Sequence, residues 1–102
     1  MIYQLVLQFD ASSIEDFDRG IEIEDKIINA LGNAHDVDGH DFGSGEMNIF
    51  IHTDEPKEAF KILKANVLPN FLKEVKAAFR ELSSENYTVL WPEGYSGEFN
   101  IK

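Results

Sequence analysis

The chain contains no cysteine among its 102 residues. Disulfide staples and thiol chemistry are therefore excluded, and a reducing, cytoplasmic setting is expected. Basic residues are scarce, with nine Lys and Arg against 19 Asp and Glu, for a formal net charge of −10. Nucleic-acid phosphates need a basic footprint, so this composition opposes a nucleic-acid partner. No apolar run approaches the length of a membrane span, and no membrane partner is expected. Met1-Ile2-Tyr3 leads directly into a strand pattern without a basic and then apolar leader, which again fits a cytoplasmic protein. There is no G-x-S-x-G, phosphate-binding loop, HExxH or dinucleotide fingerprint.

What remains has the size of one domain, residues 1–102, long enough to bury a real core. Its charge is uneven. Residues 1–55 hold 13 acids and two bases, Arg19 and Lys26, whereas residues 56–102 hold six acids and seven bases. Such a field steers basic partners towards the first half, and it also keeps a small protein soluble.

Residues 2–9 alternate as a strand does, with Tyr3, Leu5, Leu7 and Phe9 on one side and Ile2, Gln4, Val6 and Gln8 on the other. Ser12 and Ser13 are candidate helix caps, each with an acid three residues on, Glu15 and Asp16. Ile14, Phe17, Ile21, Ile28 and Leu31 follow at helical spacing, with Ile27 widening the stripe and Ile23 at its edge. Gly20 weakens this helix or permits a close approach to a sheet, and Gly32 is placed to end it. The stretch 35–54, HDVDGHDFGSGEMNIFIHTD, reads as a β-hairpin. Its strands are expected at 34–41 and 46–53, joined by Gly43-Ser44-Gly45. The first of them is poor in apolar residues and charged, as befits a sheet edge.

Thr53 or Asp54 is placed to cap a second helix, with Pro56 in its first turn and Ala59, Phe60, Leu63 and Val67 as its buried stripe. Pro69 must break that helix. The spacing of Phe71, Leu72, Val75, Ala78, Phe79 and Leu82 predicts a further helix from Asn70 to about Leu82. Tyr87 to Trp91 reads as a short strand stopped by Pro92, with Tyr87, Val89 and Trp91 facing the core. Tyr95, Phe99 and Ile101 are too apolar for a solvated tail and suggest an extra C-terminal strand or a cover over a helix.

The order predicts an α+β fold, a ferredoxin-like β-α-β-β-α-β two-layer sandwich with its second helical region broken near Pro69. The first and third strands belong in the centre of its sheet. One face of that sheet is left without helices. If Leu5, Leu7, Ile49 and Ile51 face the helices, then Gln4, Val6, Gln8, Asn48, Phe50 and His52 share the other face, with Asp38 and His40 joining from the edge. These eight residues are the candidate binding residues. The face can pair with a second copy to give a homodimer, hold a protein or small-molecule ligand, or lie under the C-terminal segment.

His35, Asp36, Asp38, His40 and Asp41 form the chemically richest run, with Asp36, Asp38 and His40 expected on one strand face. Imidazoles and carboxylates ligate divalent metals, but the spacing matches neither a calcium loop nor a strong zinc motif. No metal or cofactor is assigned, and no catalytic residue is named. His40 or His52 beside a carboxylate could supply a general base, and Ser44, His40 and Asp38 can be drawn as a triad only on paper.

The run GHDFGSGEMNIFIHTDEP and the ending YTVLWP resemble small acidic bacterial proteins of unassigned function with a ferredoxin-like arrangement. Size and charge also resemble those of acidic proteins that neutralise toxins. The leading expectation is a non-enzymatic binding or regulatory domain that dimerises through the open sheet face. An acidic inhibitor or immunity-type protein that captures a basic partner is the alternative, and a small enzyme using His40 or His52 is the third.

Overall fold

Alternation of apolar and polar residues over a short run favours a strand with one buried side, and it recurs at β1 (Tyr3–Asp10) and β3 (Glu46–Thr53). The computed structural model describes residues 2–10, 14–32, 35–43, 45–68, 74–92, 94 and 99, the side chains of 14–17 excepted. Between and after these strands run α1 (Ile14–Leu31), β2 (Asp36–Gly43), α2 (Pro56–Asn66), β4 (Val75–Glu81) and β5 (Thr88–Trp91). The sheet is antiparallel at every pairing, in the order β2-β3-β1-β4-β5. This is a ferredoxin-like two-layer α+β arrangement with one strand added at an edge. β1 and β3 are internal, as their alternation implies.

The core lies between the helices and one sheet face. Leu5, Leu7 and Phe9 of β1 sit beside Met47, Ile49 and Ile51 of β3 and beneath Ile23, Ile27, Leu31, Phe60 and Leu63. The stripe of α1 differs from the expected one. Ile23 and Ile27 are buried at its centre, whereas Ile28 is 47% exposed. Ile23, Ile27 and Leu31 follow a strict four-residue repeat, the spacing that keeps side chains over one line of the helix. Gly20 extends that line by one turn. A methyl group there would overlap the Met47 sulfur and crowd Phe9 Cε2 at 3.3 Å, so the glycine lets α1 approach the sheet.

Helix ends follow local chemistry. Gly32 adopts φ 59°, and its N–H donates to the Ile28 carbonyl at 3.1 Å, closing α1 in the left-handed conformation that glycine favours. α2 opens with Pro56 in its first turn. Its N-cap is Glu55, which makes no side-chain cap, rather than Thr53 or Asp54. The Thr53 hydroxyl instead accepts the Glu55 N–H at 2.9 Å, just ahead of the helix. The Val67 and Leu68 N–H groups both donate to the Leu63 carbonyl as α2 ends before Pro69.

The main correction concerns the helix expected from Asn70 to Leu82. Residues 75–81 form β4, an internal strand between β1 and β5. Val75, Ala77 and Ala78 are all buried, the first two on the helix side and Ala78 on the opposite side. Burial on both faces replaces alternation with a short apolar run, which periodicity cannot distinguish from a helix segment. Tyr87 to Trp91 therefore contributes the fifth strand, not the fourth.

β5 also carries a bulge. Trp91 lies opposite Ala77 and Val89 opposite Ala78, so two steps along β5 match one along β4. The extra residue reverses the alternation. Val89 and Tyr87 consequently pack on the open face, while Leu90 and Trp91 pack against the helix-side core. The expectation that Tyr87, Val89 and Trp91 share the core is corrected accordingly. The caps at Ser12 and Ser13, the side chains of Ile14, Glu15, Asp16 and Phe17, and Ser44, Pro69, Asn70, Phe71, Leu72, Tyr95 and Ile101 lie outside what is described.

Candidate binding edge and the polar pairs around it

The hairpin places most of the chemistry-bearing residues. Gly43 pairs with Glu46, and Gly45 takes φ 76° in the turn between them. Near the other end of β2, Val37 pairs with Ile51 but Gly39 pairs with Phe50, leaving Asp38 as an extra residue. Gly39 has φ 142°, a conformation that L side chains rarely adopt. This bulge separates residues expected together. Asp36 pairs with His52 on the open face, whereas His40 pairs with Ile49 on the helix side. Asp36, Asp38 and His40 thus do not form one row.

Moved to the helix side, His40 meets α1. Its Nδ1 lies 3.1 and 3.0 Å from the two carboxylate oxygens of Glu24. A carboxylate only accepts, so Nδ1 carries the hydrogen of this contact. His35 is buried and reaches a different partner, its Nδ1 lying 2.6 Å from the Thr53 hydroxyl oxygen. Thr53 accepts the Glu55 N–H as well, so one hydroxyl joins the start of β2 to the start of α2. Thr53→Val keeps the shape and removes both bonds. It is expected to lower stability by about 2 kcal/mol, because two partly buried polar groups lose their partner. A reduced urea midpoint with an unchanged slope would show it.

The open face is less open than its helix-free position implies. Val6 and Ala78 are fully buried there beneath Phe99, with Phe50, Tyr87 and Val89 packed around them. The Tyr87 and Phe99 rings lie 5.0 Å apart at 56°. Gln8 and Asn48 are also buried, and the Gln8 amide donates to Asn48 Oδ1 at 3.0 Å across the β1–β3 pairing. Of the candidate residues, Val6, Gln8 and Asn48 are therefore interior. Gln4, Phe50 and His52 are half-buried on this face, and Asp38 is exposed at the bulge. His40 lies on the helix side of the same edge.

The surface of β2 is different. It is a sheet edge, and Asp36, Asp38 and Asp41 are exposed along it together with Phe42, 42% exposed. Exposed Asp18, Glu22 and Asp25 and the exposed Ile28 lie on α1, which packs over β2 and β3. Sequence reasoning noted the acids of this edge but not the exposed apolar pair, Phe42 and Ile28. Phe42 follows from its position on the outermost strand, and Ile28 stands just outside the buried line through Ile23, Ile27 and Leu31.

A hollow of about 330 Å³ lies at the end of β1, β4 and β5 between Tyr3, Arg80 and Ser84. Arg80 Nη1 donates there to the carbonyls of Glu81, Leu82 and Ser84 at 3.2, 3.1 and 3.0 Å. Those bonds hold the turn between β4 and β5. Among the described residues no group of three or more His, Cys, Asp and Glu is arranged to hold a metal ion. His40 contacts Glu24, and Ser44 of the paper triad is outside the described residues. No helix among the described residues is long and apolar enough to cross a membrane.

No family model, curated protein or solved structure matches the chain.

Proposed function

We propose that the chain is a non-enzymatic binding domain that presents its acidic β2 edge and the adjoining face of α1 to a basic protein. The observation that carries this reading is the composition of that edge: Asp36, Asp38 and Asp41 are exposed along an outermost strand, and Phe42, opposite Met47, is exposed on the helix side of the same strand, where the acids of α1 adjoin it. The acids raise the encounter rate with a basic surface, and an aromatic residue supplies desolvated contact area once the partner has docked. Edge strands also accept an added strand through their main chain. A cysteine-free chain suits such work in the cytoplasm.

The test uses the protein as bait in lysate of its own host, beside Asp36→Lys/Asp38→Lys/Asp41→Lys and Phe50→Glu. The expected result is a basic partner retained by the native protein and by Phe50→Glu, lost with the edge variant, and released by raised salt. A partner retained equally by all three baits contradicts the edge assignment.

A second reading is a homodimer through the open face. Half-buried Phe50, Gln4 and His52 favour it, since they form an apolar centre with a polar rim beside Phe99. In that case sedimentation shows a dimer that Phe50→Glu abolishes and raised salt preserves.

A further inference from the structure

The opposite edge of the sheet has the opposite character. A groove of about 270 Å³ runs between α2 and β5, lined by Lys57, Lys61, Lys64, Phe60, Leu90 and Trp91. Lys57, Lys61 and Lys64 recur at four and three residues along α2, which sets them on one face of the helix. Lys57 and Lys61 are exposed and make no ion pair with any described residue. The Lys64 ammonium lies 4.4 Å from the centre of the Trp91 ring. In a chain of net charge −10, this leaves a positively charged slot with an apolar floor.

We propose that this groove binds an extended acidic peptide segment carrying an apolar anchor. The chemistry of the lining requires both halves of that description. Three ammonium groups attract carboxylates, while half-buried Leu90 and Trp91, backed by buried Phe60, offer an apolar surface that a charged side chain would not fill. The spacing fits an extended chain. Lys57 to Lys64 spans about 10 Å at the helical rise, the length of about four residues in a strand. Alternating side chains of such a segment place carboxylates towards the lysines and an anchor against Trp91. The β5 bulge contributes directly, because it turns Leu90 and Trp91 to the helix side. The occupant's charge is opposite to that of the partner proposed for the β2 edge, so the two surfaces are independent.

Trp91 is the chain's one tryptophan, so its fluorescence reports this groove. The probe is acetyl-Glu-Phe-Glu-Leu-Glu-amide, titrated into the full chain at low salt. The expected result is a saturable change in Trp91 emission that falls with salt. Lys57→Glu/Lys61→Glu is expected to weaken binding about tenfold or more, while Lys26→Glu on α1 leaves it unchanged. Circular dichroism confirms that both variants fold. No change in Trp91 emission, equal binding by the double variant, or an equal response to a peptide with lysine in place of glutamate overturns the proposal. Sedimentation of the protein alone provides a further check. Self-association lost in Lys57→Glu/Lys61→Glu would overturn the peptide assignment by making a second copy the occupant.

Discussion

Phe99→Ala is expected to lower stability by about 3 kcal/mol, the usual cost of removing a buried phenyl ring. For a chain of this length that corresponds to a fall in Tm on the order of 15 °C. The ring is 8% exposed and covers Val6 and Ala78 on the side of the sheet without helices. Its removal strips the roof from two fully buried side chains and takes the Tyr87 edge of the cluster with it. The variant is also expected to bind a hydrophobic dye that the native protein does not bind. Thermal melts and dye fluorescence check both effects. A variant as stable as the native chain would mean that Phe99 lies idle on the face. The face would then be open to a second copy, as the homodimer reading requires.

Ala77→Glu should abolish cooperative folding. Ala77 is fully buried on the helix side of β4, opposite Leu7 on one neighbour and Trp91 on the other. A carboxylate there would be buried without a cation, at a cost of at least about 4 kcal/mol, a large part of the 5–15 kcal/mol by which domains are stable. The same substitution discriminates sharply between two structures for this segment. On a helix with Val75, Ala78, Phe79 and Leu82 inward, Ala77 would lie on the solvated side with Lys73, Lys76 and Arg80, and glutamate would be tolerated. Far-ultraviolet circular dichroism and a urea titration decide between these outcomes. Loss of the folded baseline confirms the strand.

This segment shows where local pattern stops being informative. VKAAFRE contains alanine, lysine, arginine and glutamate, all good helix formers, and its apolar residues fall at helical spacing. Its strand state comes from tertiary partners: β1 and β5 pair with its backbone on either side, the helix-side core covers Val75 and Ala77, and Phe99 covers Ala78, and no residue within the segment announces them. β1 and β3 were readable because a strand with contrasting faces writes its own period. Gly32 and Pro56 were readable because helix ends depend on backbone conformation within a few residues.

The candidate face was readable only in part. Period-two alternation correctly puts Gln4, Val6 and Gln8 opposite Leu5 and Leu7, and Asn48, Phe50 and His52 opposite Ile49 and Ile51. It says nothing about Phe99, a residue distant in sequence that lands over Val6. Bulges defeated the edge residues. One extra residue at Asp38 sends His40 to Glu24 on α1, and one extra residue in β5 exchanges the faces of Val89 and Trp91. Gly39 was a visible clue to the first, since an isolated glycine in a strand marks a bulge. No comparable residue marks the second.

A basic partner held at the acidic edge touches β2 and the adjoining face of α1 and leaves β5 free. The decisive measurement is amide hydrogen exchange on the protein alone and in complex with its captured basic partner. The reading predicts slowed exchange along β2, from Asp36 to Gly43, and on the adjoining face of α1, with β5 unchanged. Slowed exchange confined to the strands around Phe50, with β2 unaffected, would contradict it and move the binding surface to the sheet face.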